Sequence, residues 1–254
     1  MLKKILHSVI NNMGYDLVKP DKRLVIDGLP ADFDQDTLDT YKKVKPYTMT
    51  TPERIASLCN AVNYLVKNNI EGDFVECGVW RGGSTMAAID TLMKNRDTSR
   101  EIYLYDTFEG MSEPTEADKV FTGTAAEELM NSSDKNDATS VWCYSALEEV
   151  QNNVGALKYP EGKVHYVKGK VEDSIPQTLP GKIALLRLDT DWYESTAHEL
   201  KHLYPLLVPG GVIIIDDYGH WEGARKAVDE YIEDNKLPLL LNRIDYTGRI
   251  GIKY

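Results

Sequence analysis

Apolar β-rich runs and helical stretches take turns along most of this chain, and that alternation limits its fold more than any other feature. The runs are DFVEC (73–77), EIYLYD (101–106), KVHYVKG (163–169), KIALLRLD (182–189), GVIIID (211–216), PLLLNRID (238–245) and RIGIKY (249–254). Between most of them lie segments with apolar residues at helical spacing. The clearest is TPERIASLCNAVNYLVKNN, with Thr51 as N-cap, Pro52 at the first helical position, and Ile55, Leu58, Val62 and Val66 along one stripe. Residues 84–95, 190–204 and 222–235 read the same way. Strands that alternate with helices build parallel βαβ units, so the expected fold is α/β and doubly wound. The unbroken apolar run Val212 to Ile215 suits a central strand covered on both faces. No helical stretch separates the last two runs, which therefore pair as a terminal antiparallel hairpin. The sheet is expected to be seven-stranded and mostly parallel.

Two regions stand outside the pattern. Residues 1–50 read as an N-terminal arm of short helices and loops, leaving 51–254 as the main domain. Residues 111–145 are polar, weakly periodic and too long for a plain connection, which marks them as a lid.

The formal net charge is −11, from 29 basic and 40 acidic residues, so neither nucleic acid nor an anionic membrane is expected as the main partner. Cys59, Cys77 and Cys143 are odd in number and lack metal-ligand spacing, as in a reducing compartment. MLKKILHSVINNMGYD carries no long apolar core or cleavage site, and no run approaches the ~18 apolar residues of a membrane span. A cytoplasmic location is expected.

DFVECGVWRGGST (73–85) places Gly78, Gly82 and Gly83 between a strand and a helix, where an open α/β sheet binds its ligand. It is not G-x-G-x-x-G, because Trp80 occupies the middle glycine's place, and no Lys-Ser/Thr follows as in a phosphate loop. Glu76 at the strand end repels phosphate and suits a ligand with positive charge and hydrogen-bond donors. The next strand ends in Asp106, placed to accept from both hydroxyls of a ribose. A nucleoside that is cationic near the glycine turn is S-adenosylmethionine.

GDFVECGVWRGGS, YLYDTFEGM, LLRLDTDWYEST and LVPGGVIIIDDYGHWEGARKAVDEY resemble the macrocin O-methyltransferase family, over about four-fifths of the chain. The resemblance implies a Rossmann-like class I methyltransferase fold, S-adenosylmethionine as methyl donor, and a deoxysugar hydroxyl of a macrolide antibiotic intermediate as acceptor. A homo-oligomer is the expected assembly. KGKVEDSIP (168–176) resembles the family's adenine-side loop, with Glu172 and Asp173 as its candidates. Thr107 and Phe108 are expected to flank the adenosine, Gly78 and Ser84 to line the cofactor turn, and Met49 and Arg54 to reach the methionine end.

An alcohol is a weak nucleophile, with a pKa near the ~15.7 of water, so a cation beside it is a natural remedy. LDTD ends one strand with Asp189 and Asp191, and IIDDYG ends the next with Asp216 and Asp217. Four converging carboxylates repel unless a cation sits among them. Oxygen ligands without Cys or His indicate Mg²⁺ or Ca²⁺, and Mg²⁺ keeps positions for water or substrate. Asp191, Asp216 and Asp217 are the expected metal ligands, with Asp189 in reserve. Asp191 doubles as the base, His220 is a second candidate, and Trp192 and Tyr193 are candidates to line the sugar site. Two alternatives use the same sheet: a nicotinamide-dependent dehydrogenase, disfavoured by the missing glycine and by Glu76, and a non-catalytic nucleoside or sugar binder.

Overall fold

The computed structural model describes residues 25–26, 28–137 and 140–254. The chain divides into two compact units, Met1–Gln35 and Asp36–Tyr254. Most of the expected N-terminal arm lies outside the described residues; within the first unit, β1 (Val25–Ile26) pairs antiparallel with β2 (Leu29–Pro30). The larger unit starts at Asp36, earlier than the boundary expected at residue 51. The reason is α1 (Gln35–Val44), which buries Thr37, Thr40, Tyr41 and Val44. Its Thr40 Oγ1 donates to Asp90 Oδ2 at 2.7 Å, and the Asp90 carboxylate also takes Lys43 and Lys94.

The main chain then runs through α2 (Pro52–Lys67), β3 (Asp73–Cys77), α3 (Gly83–Lys94), β4 (Ile102–Asp106), α4 (Ala126–Asn131), α5 (Leu147–Gly155), β5 (Val164–Lys168) and α6 (Val171–Ser174). It continues with β6 (Ile183–Leu188), α7 (Tyr193–Leu203), β7 (Leu207–Ile215), α8 (Glu222–Asp234), β8 (Asn242–Arg243) and β9 (Arg249–Ile252). Thr51 caps α2 as expected, its Oγ1 accepting from Arg54 N–H at 3.2 Å. The strand expected over 238–245 shrinks to two residues. Pro238 cannot donate to a ladder, and an edge strand has only one neighbour to hold it.

The sheet order is β5-β4-β3-β6-β7-β9-β8, with β3 to β7 parallel and β9 antiparallel to both of its neighbours. The chain builds outward from β3 to β5, then returns to lay β6 on the other side of β3. That reversal opens a crevice at the carboxyl ends of β3 and β6. Register aligns those ends: Cys77 lies opposite Leu188, and Leu188 opposite Ile215. Asp189 and Asp216, one residue beyond their strands, therefore emerge side by side. Val75, Leu186 and Ile213 belong to the buried cluster that holds these strands against α7 and α8.

The segment expected as a lid shares a small core with the starts of α7 and α8. Val120, Ala126 and Met130 pack with Trp192, Trp221 and Ala224. Among the described residues, no helix is long and apolar enough to cross a membrane.

Candidate active site

The β3–α3 turn is shaped first by its neighbours. Gly78 has φ +79°, and a Cβ there would collide with the Asp189 carbonyl; one on Gly83 would meet the Tyr47 carbonyl. Glycine thus lets the turn lie between the end of β6 and the segment ahead of α2. Asp106 braces it from the next strand. Its Oδ2 accepts from Val79 N–H at 2.6 Å and Trp80 N–H at 3.2 Å, and its Oδ1 from Phe108 N–H at 2.6 Å. Burial pushes the Asp106 carboxyl up, and these donors pull it back towards the charged form.

A cavity of about 550 Å³ opens over this edge. Met49, Gly78, Ser84, Asp106, Thr107 and Glu172 all line it, together with Arg54, Asp189, Asp191, Asp216, Asp217 and His220. Phe108 is buried and packs near Tyr166 instead. Two more of the expected cofactor residues do not line the cavity. Asp173 is exposed beside it. Glu76 is buried under it, ion-paired to Arg187 and accepting from Thr85 Oγ1. The reason is charge: Arg187 lies inside β6, covered on both faces, and requires an acid on the neighbouring strand.

Arg187 also takes Asp189 at 2.8 Å and Asp216 at 3.0 Å. Asp216 is held a second time by Arg54, whose Nε reaches Asp245 at 3.1 Å. The closest grouping of acids differs from the expected metal set. The acids whose ligand oxygens lie within 4.8 Å of one another are Asp189, Asp191 and Asp217, while Asp216 faces two guanidinium groups. Arg54, expected near the methionine carboxylate, is engaged by Asp216 and Asp245.

Burial raises Asp189 and Asp217 well above the usual carboxylate range, with repulsion from neighbouring acids, Asp216 among them, adding to it. Burial likewise pushes Asp191 up to about 7. Asp217 Oδ2 is buried without a hydrogen-bond partner among the described residues. Hard oxygen donors, surplus negative charge and an unsatisfied buried oxygen suit a divalent cation of the Mg²⁺ type. Asp191 adopts φ +70°, a left-handed geometry Asp tolerates, and that conformation forms part of the turn carrying its carboxylate into the trio. His220 is half-buried with its pKa lowered, by burial and then by the Arg54 charge, and Tyr246 OH lies 3.4 Å from its Nδ1. Trp192 is buried against Trp221, and the Tyr193 hydroxyl is bound to Glu230, so neither ring lines the cavity.

Sequence reading missed Arg187, although an arginine within LLRLD was its signal. It also missed Asp118, fully buried, whose carboxylate accepts from Thr115 N–H at 2.7 Å and Tyr193 N–H at 2.8 Å. No local pattern marks that residue. Trp80, which stands where a middle glycine would be, lines the cavity, and its buried Nε1 lacks a partner among the described residues.

Residues 8–250 match the macrocin-O-methyltransferase family. The chain is 33% identical over 248 residues to the 8-demethyl-8-(2,3-dimethoxy-alpha-L-rhamnosyl)-tetracenomycin-C 4'-O-methyltransferase of Streptomyces olivaceus, covering 98% of this chain and 89% of that one. It is 31% identical over 202 residues to the mycinamicin III 3''-O-methyltransferase of Micromonospora griseorubida, covering 80% and 76%. The solved structure of the O-methyltransferase NovP superposes with a TM-score of 0.70 at 31% identity, covering 82% of each chain.

Proposed function

The chain belongs to the macrocin O-methyltransferase family and is an S-adenosylmethionine-dependent O-methyltransferase, and from that premise we propose that it methylates a deoxysugar hydroxyl of an antibiotic glycoside, aided by Mg²⁺. A macrolide glycoside of the mycinamicin III type is the acceptor we favour, by similarity to the relative that acts on that compound. The observation that carries the reading is the acid trio of Asp189, Asp191 and Asp217 on the wall that also holds the glycine turn.

Met49, Gly78, Ser84, Thr107 and Glu172 would hold the cofactor, which would supply the methyl group to the acceptor oxygen by cleavage of its C–S bond and be left as S-adenosylhomocysteine. Asp106 holds the turn that cradles it, and keeps acceptor capacity for a ribose hydroxyl. A hard dication held by Asp189, Asp191 and Asp217 would lower the acceptor hydroxyl's pKa. The trio orients the hydroxyl-bearing ring towards the glycine turn, which is the alignment an in-line displacement requires. Asp191 takes the hydroxyl proton as the O–C bond forms, and His220, its pKa lowered by burial, stands on the same wall to relay it outward. Arg187 and Arg54 hold Glu76 and Asp216 beneath, and Arg187 also reaches Asp189, leaving Asp191 and Asp217 without a basic partner among the described residues. The lid excludes water.

The test is transfer of labelled methyl from S-adenosylmethionine to a panel of antibiotic glycosides, with and without EDTA. Label on the sugar that disappears with chelator and returns with Mg²⁺ supports the reading; full turnover in excess EDTA removes the metal and leaves the carboxylates as bases only.

A further inference from the structure

Three rings stand round the mouth of the cavity, each from a different loop. Phe121 comes from the lid and is 61% exposed; Tyr246 comes from the β8–β9 turn and is 51% exposed. His220 lies between them, three residues after Asp217. The ring centroids are 6.3 Å apart for Phe121–His220, 6.4 Å for Phe121–Tyr246 and 6.0 Å for His220–Tyr246, all edge to face. Large rings left this open forgo the burial that favours aromatic side chains inside a fold, which makes a contiguous exposed patch informative.

Backbone contacts hold the trio in place. Phe121 N–H donates to the His220 carbonyl at 3.0 Å, and Gly219 N–H donates to the Thr247 carbonyl at 2.9 Å. Any side chain at position 219 would collide with the Tyr246 carbonyl. Asp245 Oδ1 accepts from Thr247 N–H at 2.9 Å and Gly248 N–H at 2.7 Å, shaping the turn that presents Tyr246 outward. The loop carrying Asp217 is thus tied on one side to Phe121 and on the other to Tyr246. His220 and Tyr246 line the same cavity as the acid trio, whereas Phe121 lies just beyond its wall.

We propose that Phe121, Tyr246 and His220 form a second subsite that grips the apolar, ring-bearing scaffold to which the acceptor sugar is attached. The proposal rests on the reading of the cavity as a sugar O-methyltransferase site. Carboxylates inside take the hydroxyl-rich end of such an acceptor. A body that also covers Phe121 must project out of the mouth, and aromatic faces reward an apolar one. The rim then selects the scaffold while the trio selects the hydroxyl.

Calorimetric titration of the S-adenosylhomocysteine-loaded protein with methyl α-L-rhamnopyranoside and 1-naphthyl α-L-rhamnopyranoside tests this. The parent should bind the naphthyl glycoside at least about tenfold more tightly. The Phe121→Ala/Tyr246→Ala variant should lose that preference while keeping its thermal midpoint and S-adenosylhomocysteine affinity, because both rings are largely in solvent. A parent without preference overturns the proposal, as does a variant that keeps it. Should the variant keep the preference and change its sedimentation instead, the patch is a contact between copies of the chain. Absence of methyl transfer to any glycoside would undo the catalytic reading separately, since the binding preference is read without turnover.

Discussion

Arg187 shows most plainly how single residues shape this site. It sits in the middle of β6, almost wholly buried, with Glu76, Asp189 and Asp216 around its guanidinium. Removing it strands buried carboxylates, a loss that costs about 3–5 kcal/mol. Arg187→Met should therefore lower the denaturant midpoint sharply, and adding Glu76→Leu should recover part of the loss. Equal midpoints for the single and double variants would mean Glu76 does not depend on Arg187. Asp106 offers a second test. Both its oxygens accept backbone N–H groups of the turn, so Asp106→Asn presents an NH₂ where an acceptor is needed. S-adenosylmethionine affinity should fall roughly tenfold or more by calorimetry. Unchanged affinity would remove Asp106 from the cofactor site. The paired acids were legible because DTD and DD each follow a strand. Which acids group most closely was not, because Asp216 is claimed by Arg54 from α2, 162 residues away in sequence.

At the scale of elements, helices with caps and apolar stripes were legible almost to the residue, and α2 begins where Thr51 and Pro52 put it. The segment expected as a lid, 111–145, was legible from its length and polarity, but its core was not, because that core is completed by Trp192 and Trp221 from other elements. Asp118 is its peg: the carboxylate caps the first turn of α7 and abuts Gly223 at the start of α8. Asp118→Ala should cost about 1–3 kcal/mol through the donors left unpaired. Amide exchange should speed up over residues 115–126 and leave β3 and β6 unchanged. Exchange that rises equally in the sheet would show that the lid is not a separate unit.

Across the whole molecule the site acids set a pH dependence of stability. Burial pushes Asp191 up to about 7 in the folded chain and raises Asp189 and Asp217 too, against about 3.9 for an unfolded Asp. The folded chain therefore binds more protons, and this contribution, complete below the unfolded value, is lost as pH rises through the folded one. The lowered His202 and His220 act in the opposite sense, but only up to about 6.5, the ordinary histidine value. In EDTA the thermal midpoint should fall between about pH 6.5 and 8, and Mg²⁺, which favours the ionised acids, should restore it at the upper end. A midpoint that stays flat or rises in EDTA would contradict the shared burial of these carboxylates.

The central claim is that the acids at the carboxyl edge divide the work of binding and proton removal, with Asp191 serving both. Turnover against Mg²⁺ for Asp191→Asn, beside Asp216→Asn, tests it most directly. Asparagine keeps an oxygen and nearly the same volume at position 191 but cannot take a proton near neutral pH. The Asp191 variant should remain roughly 10²–10⁴-fold slow at saturating Mg²⁺, the usual share of general-base assistance. The Asp216 variant should lose chiefly stability, because its carboxylate faces Arg54 and Arg187. Rescue of Asp191→Asn to near the parent rate by excess Mg²⁺ would contradict the account, reducing Asp191 to a ligand and passing the proton to His220.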